Sequence, residues 1–181
     1  MSAKTSEFLL DWYREVDGIR TFRDSEIVEL YRRLLAEGGA HVFRDGSVPD
    51  AAAFLRMAKA TGTAFLVAHV RGRRAGVCWL NRFQGRWAQC NFFIFREFWG
   101  PDAAALGRWT LRELLHARAA DGDYLFDMLV GVTPADNPCA VAFALRCGWS
   151  RCGVLPRGSF NAGTGASSPA VLLTATREAL Q

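Results

Sequence analysis

Residues 64–95 constrain the fold more than any other stretch. Three apolar runs, Ala64–Val70, Gly76–Phe83 and Trp87–Phe95, are separated only by Arg71–Ala75, with a turn at Arg71-Gly72-Arg73, and by Gln84–Arg86, with a turn at Gln84-Gly85. Each run has the length and the β-branched and aromatic content of a strand, and each gap carries a turn glycine. Strands joined this closely must be antiparallel neighbours, because a parallel pair needs a crossover of a dozen or more residues. The stretch therefore predicts a three-stranded meander.

The flanking segments have a different period. On the N-terminal side, the first twenty residues are mixed and admit a strand near Phe8–Val16. Asp24 and Ser25 are good helix caps, and Ile27, Leu30, Tyr31, Leu34 and Leu35 then recur at helical spacing until Gly38-Gly39. Pro49-Asp50 opens a second, alanine-rich helix that stops at Thr61-Gly62. On the C-terminal side the third strand feeds a helix over Asp102–Ala119, with Leu106, Trp109, Leu111, Leu114 and Leu115 as core candidates. A strand at Tyr124–Val132 feeds a helix over Asn137–Cys147. Strands at Arg151–Leu155 and Ala170–Thr176 close the chain, joined by a Gly/Ser-rich loop from Arg157 to Ser168 that is long for a hairpin. The order implies an α/β domain with a mixed, mostly antiparallel sheet and helices on both faces.

At 181 residues the chain can bury one sizeable core, so a single domain over 1–181 is expected, with its core at about 8–176. No apolar run reaches membrane-span length and the first residues lead into no secretory segment, so a soluble cytoplasmic protein is expected. The five cysteines are odd in number and none has CxxC spacing, which reads as core thiols rather than a disulfide framework or metal site. The net charge is +4, and Lys4 and Lys59 are the only lysines. A mild positive bias suits an anionic cofactor. No basic run interleaved with aromatics is present, which argues against nucleic acid.

Three stretches carry a resemblance. Asn91-Phe92-Phe93-Ile94-Phe95-Arg96-Glu97-Phe98-Trp99-Gly100 looks like a strand running into an anion-binding helix start. Asn137-Pro138-Cys139-Ala140, followed by Gly148-Trp149, is similar to an Asn-x-x-Ala…Gly-Phe pattern at matching spacing. Tyr124–Val132 looks like the strand between them. Together with the element order they resemble the GNAT (GCN5-related N-acetyltransferase-like) superfamily over roughly residues 8–176. Phe-Trp-Gly is similar to the Tyr-Trp-Gly-Lys-Gly form of the branch that acetylates ribosomal-protein N-termini.

The resemblance implies a sheet of about seven strands and acetyl-CoA as co-substrate. The acceptor would be an amine on a small molecule, a protein N-terminus or a lysine, and the protein a monomer or homodimer. In the family the fourth strand splays from the fifth and pairs with the pantetheine arm, a role for Phe92, Phe93 and Ile94 here. The following loop and helix start, Trp99, Gly100, Asp102, Ala103 and Ala104, would face the diphosphate, because first-turn N–H groups lack partners and the helix dipole is positive there. Asn137 would bond the cofactor near the pantetheine.

The chain departs from the family pattern in three places. Pro101 has no N–H to donate, and Asp102 stands where the family has its second glycine. Arg96 or Arg108 could offset that carboxylate. Ala144 occupies the position, seven residues after the asparagine, at which many members place an acid tyrosine. For the base, the strand face of Trp87, Gln89, Asn91 and Phe93 offers only amides, so Asn91 to order a water and Glu97 as the nearest carboxylate are the candidates. His69 and His116 are further candidates for proton transfer. The Arg157–Ser168 loop is a candidate for lining the acceptor site.

Overall fold

The computed structural model describes residues 7–180. Nine strands appear in chain order: β1 (Phe8–Trp12), β2 (Glu15–Val16), β3 (Ile19–Arg20), β4 (Ala64–Val70), β5 (Arg73–Gln84), β6 (Trp87–Ile94), β7 (Met128–Pro134), β8 (Ser150–Asn161) and β9 (Ala166–Thr176). The helices are α1 (Asp24–Ala36), α2 (Ala51–Lys59), α3 (Pro101–His116) and α4 (Pro138–Arg146). β2 and β3 form a small ribbon, and the other seven strands form one sheet in the order β1-β4-β5-β6-β7-β9-β8. The expected meander is β4-β5-β6, and every neighbouring pair in the sheet is antiparallel except β6 with β7.

Strand alternation sends side chains to two separate cores. Phe65 and Val67 of β4 face α1 and α2, while Leu66 between them faces the other side with Leu111, Leu114 and Leu115 of α3. Helices cover both faces, as the sequence implied. The α1–α2 core is aromatic: Tyr31 lies 5.0 Å from Phe54, Phe54 meets Phe65 edge-on at 5.7 Å, and Phe43 stacks on Trp79 at 5.4 Å. Such pairs add about 0.5–1.5 kcal/mol each beyond the area they bury.

Three boundaries differ from the sequence reading. Asp24 and Ser25 lie inside the first turn of α1, whose N-cap is Arg23; the Glu26 carboxylate accepts the Arg23 N–H at 2.9 Å. Tyr124–Asp127 is not strand, because this segment folds against the end of α3. The guanidinium groups of Arg118 and Arg177 sit 4.0 and 4.1 Å from the Tyr124 ring centre, and Arg177 also pairs with Asp127 at 2.7 Å. The Arg157–Ser168 loop does not exist. β8 and β9 continue past it as a hairpin, pairing Ser159 with Ser168 and Asn161 with Ala166 around a turn at Ala162–Gly165. The ladder is irregular between Arg151 and Gly153 and again between Leu155 and Ser159, where Pro156 has no N–H to give it.

Gly76 shows how tightly the meander closes. A Cβ there would lie 2.4 Å from the Phe93 carbonyl oxygen across the β5–β6 ladder, and backbone cannot move aside as a side chain can. Gly76→Ala should therefore cost roughly 1–3 kcal/mol, read as a lowered urea midpoint with unchanged slope. An unchanged midpoint would mean that β5 and β6 can part at no cost.

Candidate functional site

β6 and β7 pair for only three residues, Trp87–Gln89 with Met128–Val130. Beyond them β6 continues along β5, from Asn91 opposite Trp79 to Ile94 opposite Gly76. β7 continues along β9, from Gly131 opposite Leu173 to Pro134 opposite Ala170. The two strands fork, and half the backbone polar groups of Asn91–Ile94 face the gap. Each branch then feeds a helix, so the N-termini of α3 and α4 both stand at the mouth of the fork.

The fork has an apolar flank toward α3 and α4. Phe92 points that way and lies 5.5 Å from the Phe143 ring of α4. Cys78, Cys90, Gly107, Phe143, Cys147 and Trp149 line about 470 Å3 of space not filled by atoms, part of it open to solvent. Gly107 is required here: a Cβ would sit 2.4 Å from the Cys147 sulfur, so α3 could not approach α4. Burial pushes the Cys147 thiol up to about 11. Phe93 points to the opposite face and joins the α1–α2 core.

At the α3 terminus Gly100 adopts φ 95°, a backbone conformation natural to glycine, and Pro101 follows at the first helical position. The N–H groups of Asp102 and Ala103 make no hydrogen bond among the described residues, whereas the Ala104 N–H already donates to the Gly100 carbonyl at 3.4 Å. Trp99 does not project freely into the mouth. Its indole N–H donates to the Ile94 carbonyl at 2.8 Å, which closes one acceptor of the strand edge. The charge beside Asp102 is Arg71, at 3.9 Å. Arg96 instead donates to the Glu37 carbonyl, and Arg108 to the Arg146 carbonyl. At the α4 terminus Asn137 is a true N-cap: its Oδ1 accepts the Ala140 N–H at 3.1 Å. Its Nδ2 makes no hydrogen bond among the described residues. Ala144 is buried.

Glu97 and Asn91 are not together. Glu97 lies on a single 3-10 turn after β6 and is held by Arg33 at 2.5 Å and by Arg73. The Arg33 hydrogen bond, with the charges of both arginines, holds its carboxyl below the usual range. A carboxylate so stabilised is a poor proton acceptor, and its geometry is that of a tie between α1 and the start of α3. Asn91 lies on the α1–α2 face of the fork, in a chain of amides. Gln89 Nε2 donates to Asn91 Oδ1 at 3.2 Å, and Asn91 Nδ2 donates to the Asn81 Oδ1 at 3.3 Å and the Trp79 carbonyl at 3.4 Å. Asn81 was not singled out by sequence; its pairing with Gln89 across the Gln84-Gly85 turn is the signal that places it. His69 sits at the other end of the sheet, 3.2 Å from Asp11, and burial lowers its pKa. His116, at the end of α3, faces its own helix through the Arg112 carbonyl.

No protein-family model matches the sequence, and no curated protein matches it. Solved structures do match its fold. The microcin C7 self-immunity acetyltransferase MccE, in complex with acetyl-CoA and AMP, superposes with TM-score 0.69 at 16% identity over 95% of this chain and 93% of its own. Spermidine N-acetyltransferase from Vibrio cholerae, in complex with CoA and spermine, gives 0.67 at 14% identity over 97% and 99%. RimL, the ribosomal L7/L12 α-N-protein acetyltransferase, gives 0.71 at 14% over 95% and 91%. The fold is therefore that of the GNAT acetyltransferases, in agreement with the resemblance carried by the sequence. Among the described residues no three His, Cys, Asp or Glu side chains could hold a metal ion together, and no helix is long and apolar enough to cross a membrane.

The thiols test the burial of the cleft directly. Cys139 and Cys152 are exposed, whereas Cys78, Cys90 and Cys147 are buried. At pH 8 a thiol with a pKa of about 11 is ionised to about one part in a thousand. A disulfide reagent at that pH should titrate two thiols quickly in the native protein and all five in denaturant. Fast reaction of a third thiol would mean that the cleft opens readily.

Proposed function

We propose that the chain is an N-acetyltransferase, a single acetyltransferase-like domain that passes an acetyl group from acetyl-CoA to a primary amine by direct attack in a ternary complex. The observation that carries this is the fork: an open strand edge flanked by two helix N-termini. The acetyl-CoA and CoA held by the matched structures support the choice of donor.

The residues present fit such a donor. The backbone groups of Phe92 and the Ile94 N–H, which face the gap, would pair with the amides of the pantetheine arm, and Asn137 Nδ2 would donate to the same arm. The free N–H groups of Asp102 and Ala103 would donate to the diphosphate, aided by the α3 dipole. Phe92 and Phe143 would exclude water from the thioester. The amine nitrogen bonds to the acetyl carbon, the carbon–sulfur bond breaks, and the amine's proton ends on the released thiol. With alanine at residue 144, solvent must carry that proton in place of the family's tyrosine. Asn91, through its amide chain, would order the water nearest the amine.

The second reading, a catalytically degenerate member of the fold that binds CoA or a partner, rests on Ala144, Pro101 and Asp102. Calorimetric titration with acetyl-CoA, followed by assay over an amine panel, separates the two. Saturable binding with transfer supports the enzyme; binding without transfer supports the degenerate member; no binding at high micromolar donor removes the enzyme. Asp102→Gly checks the placement of the diphosphate. Two like charges at ~4 Å repel by about 1 kcal/mol in water, and Arg71 offsets part of that, so acetyl-CoA should bind roughly two- to fivefold tighter. Unchanged affinity would place the diphosphate elsewhere.

A further inference from the structure

β5 and β6 bring two thiols together on the α3–α4 flank of the fork. Cys78 lies opposite Phe92 and Cys90 lies opposite Leu80, so the two cysteines are diagonal neighbours on one face of the sheet. Both are free and buried, and their sulfur atoms stand 3.8 Å apart. They share the apolar cleft under α3 and α4 with Gly107, Phe143, Cys147 and Trp149, and part of that cleft is open to solvent. The acetyl transfer proposed above uses neither thiol.

The spacing decides what can bridge them. A direct disulfide needs sulfur atoms about 2.05 Å apart and Cα atoms within about 7 Å, whereas diagonal neighbours of an antiparallel pair have Cα atoms about 7–8 Å apart. Closing that bond would require the ladder to shift. A linear two-coordinate ion with bonds of about 2.3 Å, the length of a zinc–thiolate bond, would hold the sulfurs about 4.6 Å apart. A tetrahedral zinc ion would hold them about 3.8 Å apart, but it needs two further ligands. Among the described residues no three His, Cys, Asp or Glu side chains could hold a metal ion together. What fits is a bent centre with bonds of similar length that takes two bonds from the protein and brings its remaining substituent with it.

Charge points the same way. Hydrogen bonding to Cys90 and burial push the Cys78 thiol well above its usual range. Among the described residues no arginine or lysine lines the cleft, so a pair of thiolates would be uncompensated there. A ligand that replaces both protons and leaves the pair neutral avoids that cost.

We propose that Cys78 and Cys90 form a dithiol site for a trivalent organoarsenical, an arsenic atom carrying one aryl or alkyl group. The dihydroxy form of the ligand loses both hydroxyls. Two arsenic–oxygen bonds break, two arsenic–sulfur bonds form, and each thiol proton leaves with a hydroxyl as water. Arsenic stays trivalent, so no oxidant or reductant enters, and the product is neutral. An aryl substituent would lie against Phe92, Phe143 and Trp149, aromatic side chains of the same cleft. Cys147 stays a free thiol. The site stands whether or not the chain transfers an acetyl group.

The test uses phenylarsine oxide and the full chain in excess monothiol, which strips arsenic from single cysteines but not from a dithiol. The expected adduct is one aryl-arsenic per chain by native mass spectrometry, released by a small dithiol. After the monothiol is removed, a disulfide reagent should still find two fast thiols, Cys139 and Cys152. Cys78→Ala and Cys90→Ala should each weaken binding roughly 100-fold, the advantage of a second, intramolecular bond. Cys147→Ala and the double variant Cys139→Ala/Cys152→Ala should bind as the parent chain does, with the urea midpoint of each variant showing that it is folded. If Cys78→Ala or Cys90→Ala fails to fold, X-ray absorption at arsenic on the parent adduct decides: two sulfur neighbours at about 2.3 Å support the site, and any other number overturns it. The absence of an adduct, loss of the two fast thiols, full binding by Cys78→Ala or Cys90→Ala, or lost binding by Cys147→Ala would equally overturn the proposal.

Discussion

The site depends on the sheet ceasing to be a sheet after three residues. Were β6 and β7 to stay paired, the backbone groups of Asn91–Ile94 would be spent on Gly131–Pro134 and no edge would be left. Each strand instead keeps its outer partner, β5 on one side and β9 on the other, so the divergence loses few ladder bonds. Packing holds the branches apart. Phe92 and Phe143 meet on one face, and on the other Phe93 is buried with the α1–α2 aromatics. Gly107 lets α3 and α4 come close on that flank, where a Cβ would meet the Cys147 sulfur.

What the sequence disclosed follows from where period is strong. The meander and the four helices each rest on a local signal with a physical cause, and they appear where the signal put them to within about a turn, with Asp50 and Asn137 as the N-caps of α2 and α4. The β8–β9 hairpin was hidden because its outer half has little to bury: Phe160 is 46% exposed, and Ser159 is the one buried position in the Arg157–Asn161 arm. Without a buried face no alternation is imposed, and a Gly/Ser-rich strand reads as a loop. Tyr124–Asp127 misled for the opposite reason. Its apolar character serves a cation–π sandwich and not a ladder.

Charge placement was the least legible layer. From composition alone, Arg96 and Arg108 were as good as any partner for Asp102, and Glu97 was the carboxylate nearest the fork. The structure turns Arg96 and Arg108 toward backbone carbonyls and sets Asp102 3.9 Å from Arg71, which arrives from the β4–β5 turn and pairs more closely with Glu7. Glu97 goes to Arg33, whose guanidinium also lies 3.8 Å over the Phe95 ring. Partners of this kind are separated by dozens of residues, and nothing in local spacing encodes them.

The same economy explains the character of the α1–α2 face of the fork. Nearly every carboxylate close to the fork has been drawn into an arginine pair that ties one element to the next: Glu97 joins α1 to the start of α3, Asp136 joins the α1–α2 connection to β7, and Asp127 joins β6 to β9. Exposed pairs of this sort add little stability singly, but each fixes the approach of a segment that bounds the site. Carboxylates used in that way are unavailable as bases. Among the described residues, the polar groups left on the α1–α2 face of the fork are then amides, the Thr174 hydroxyl and the Cys152 thiol beside it. In this chain, one allocation of acidic residues to arginine pairs orders the segments that bound the fork.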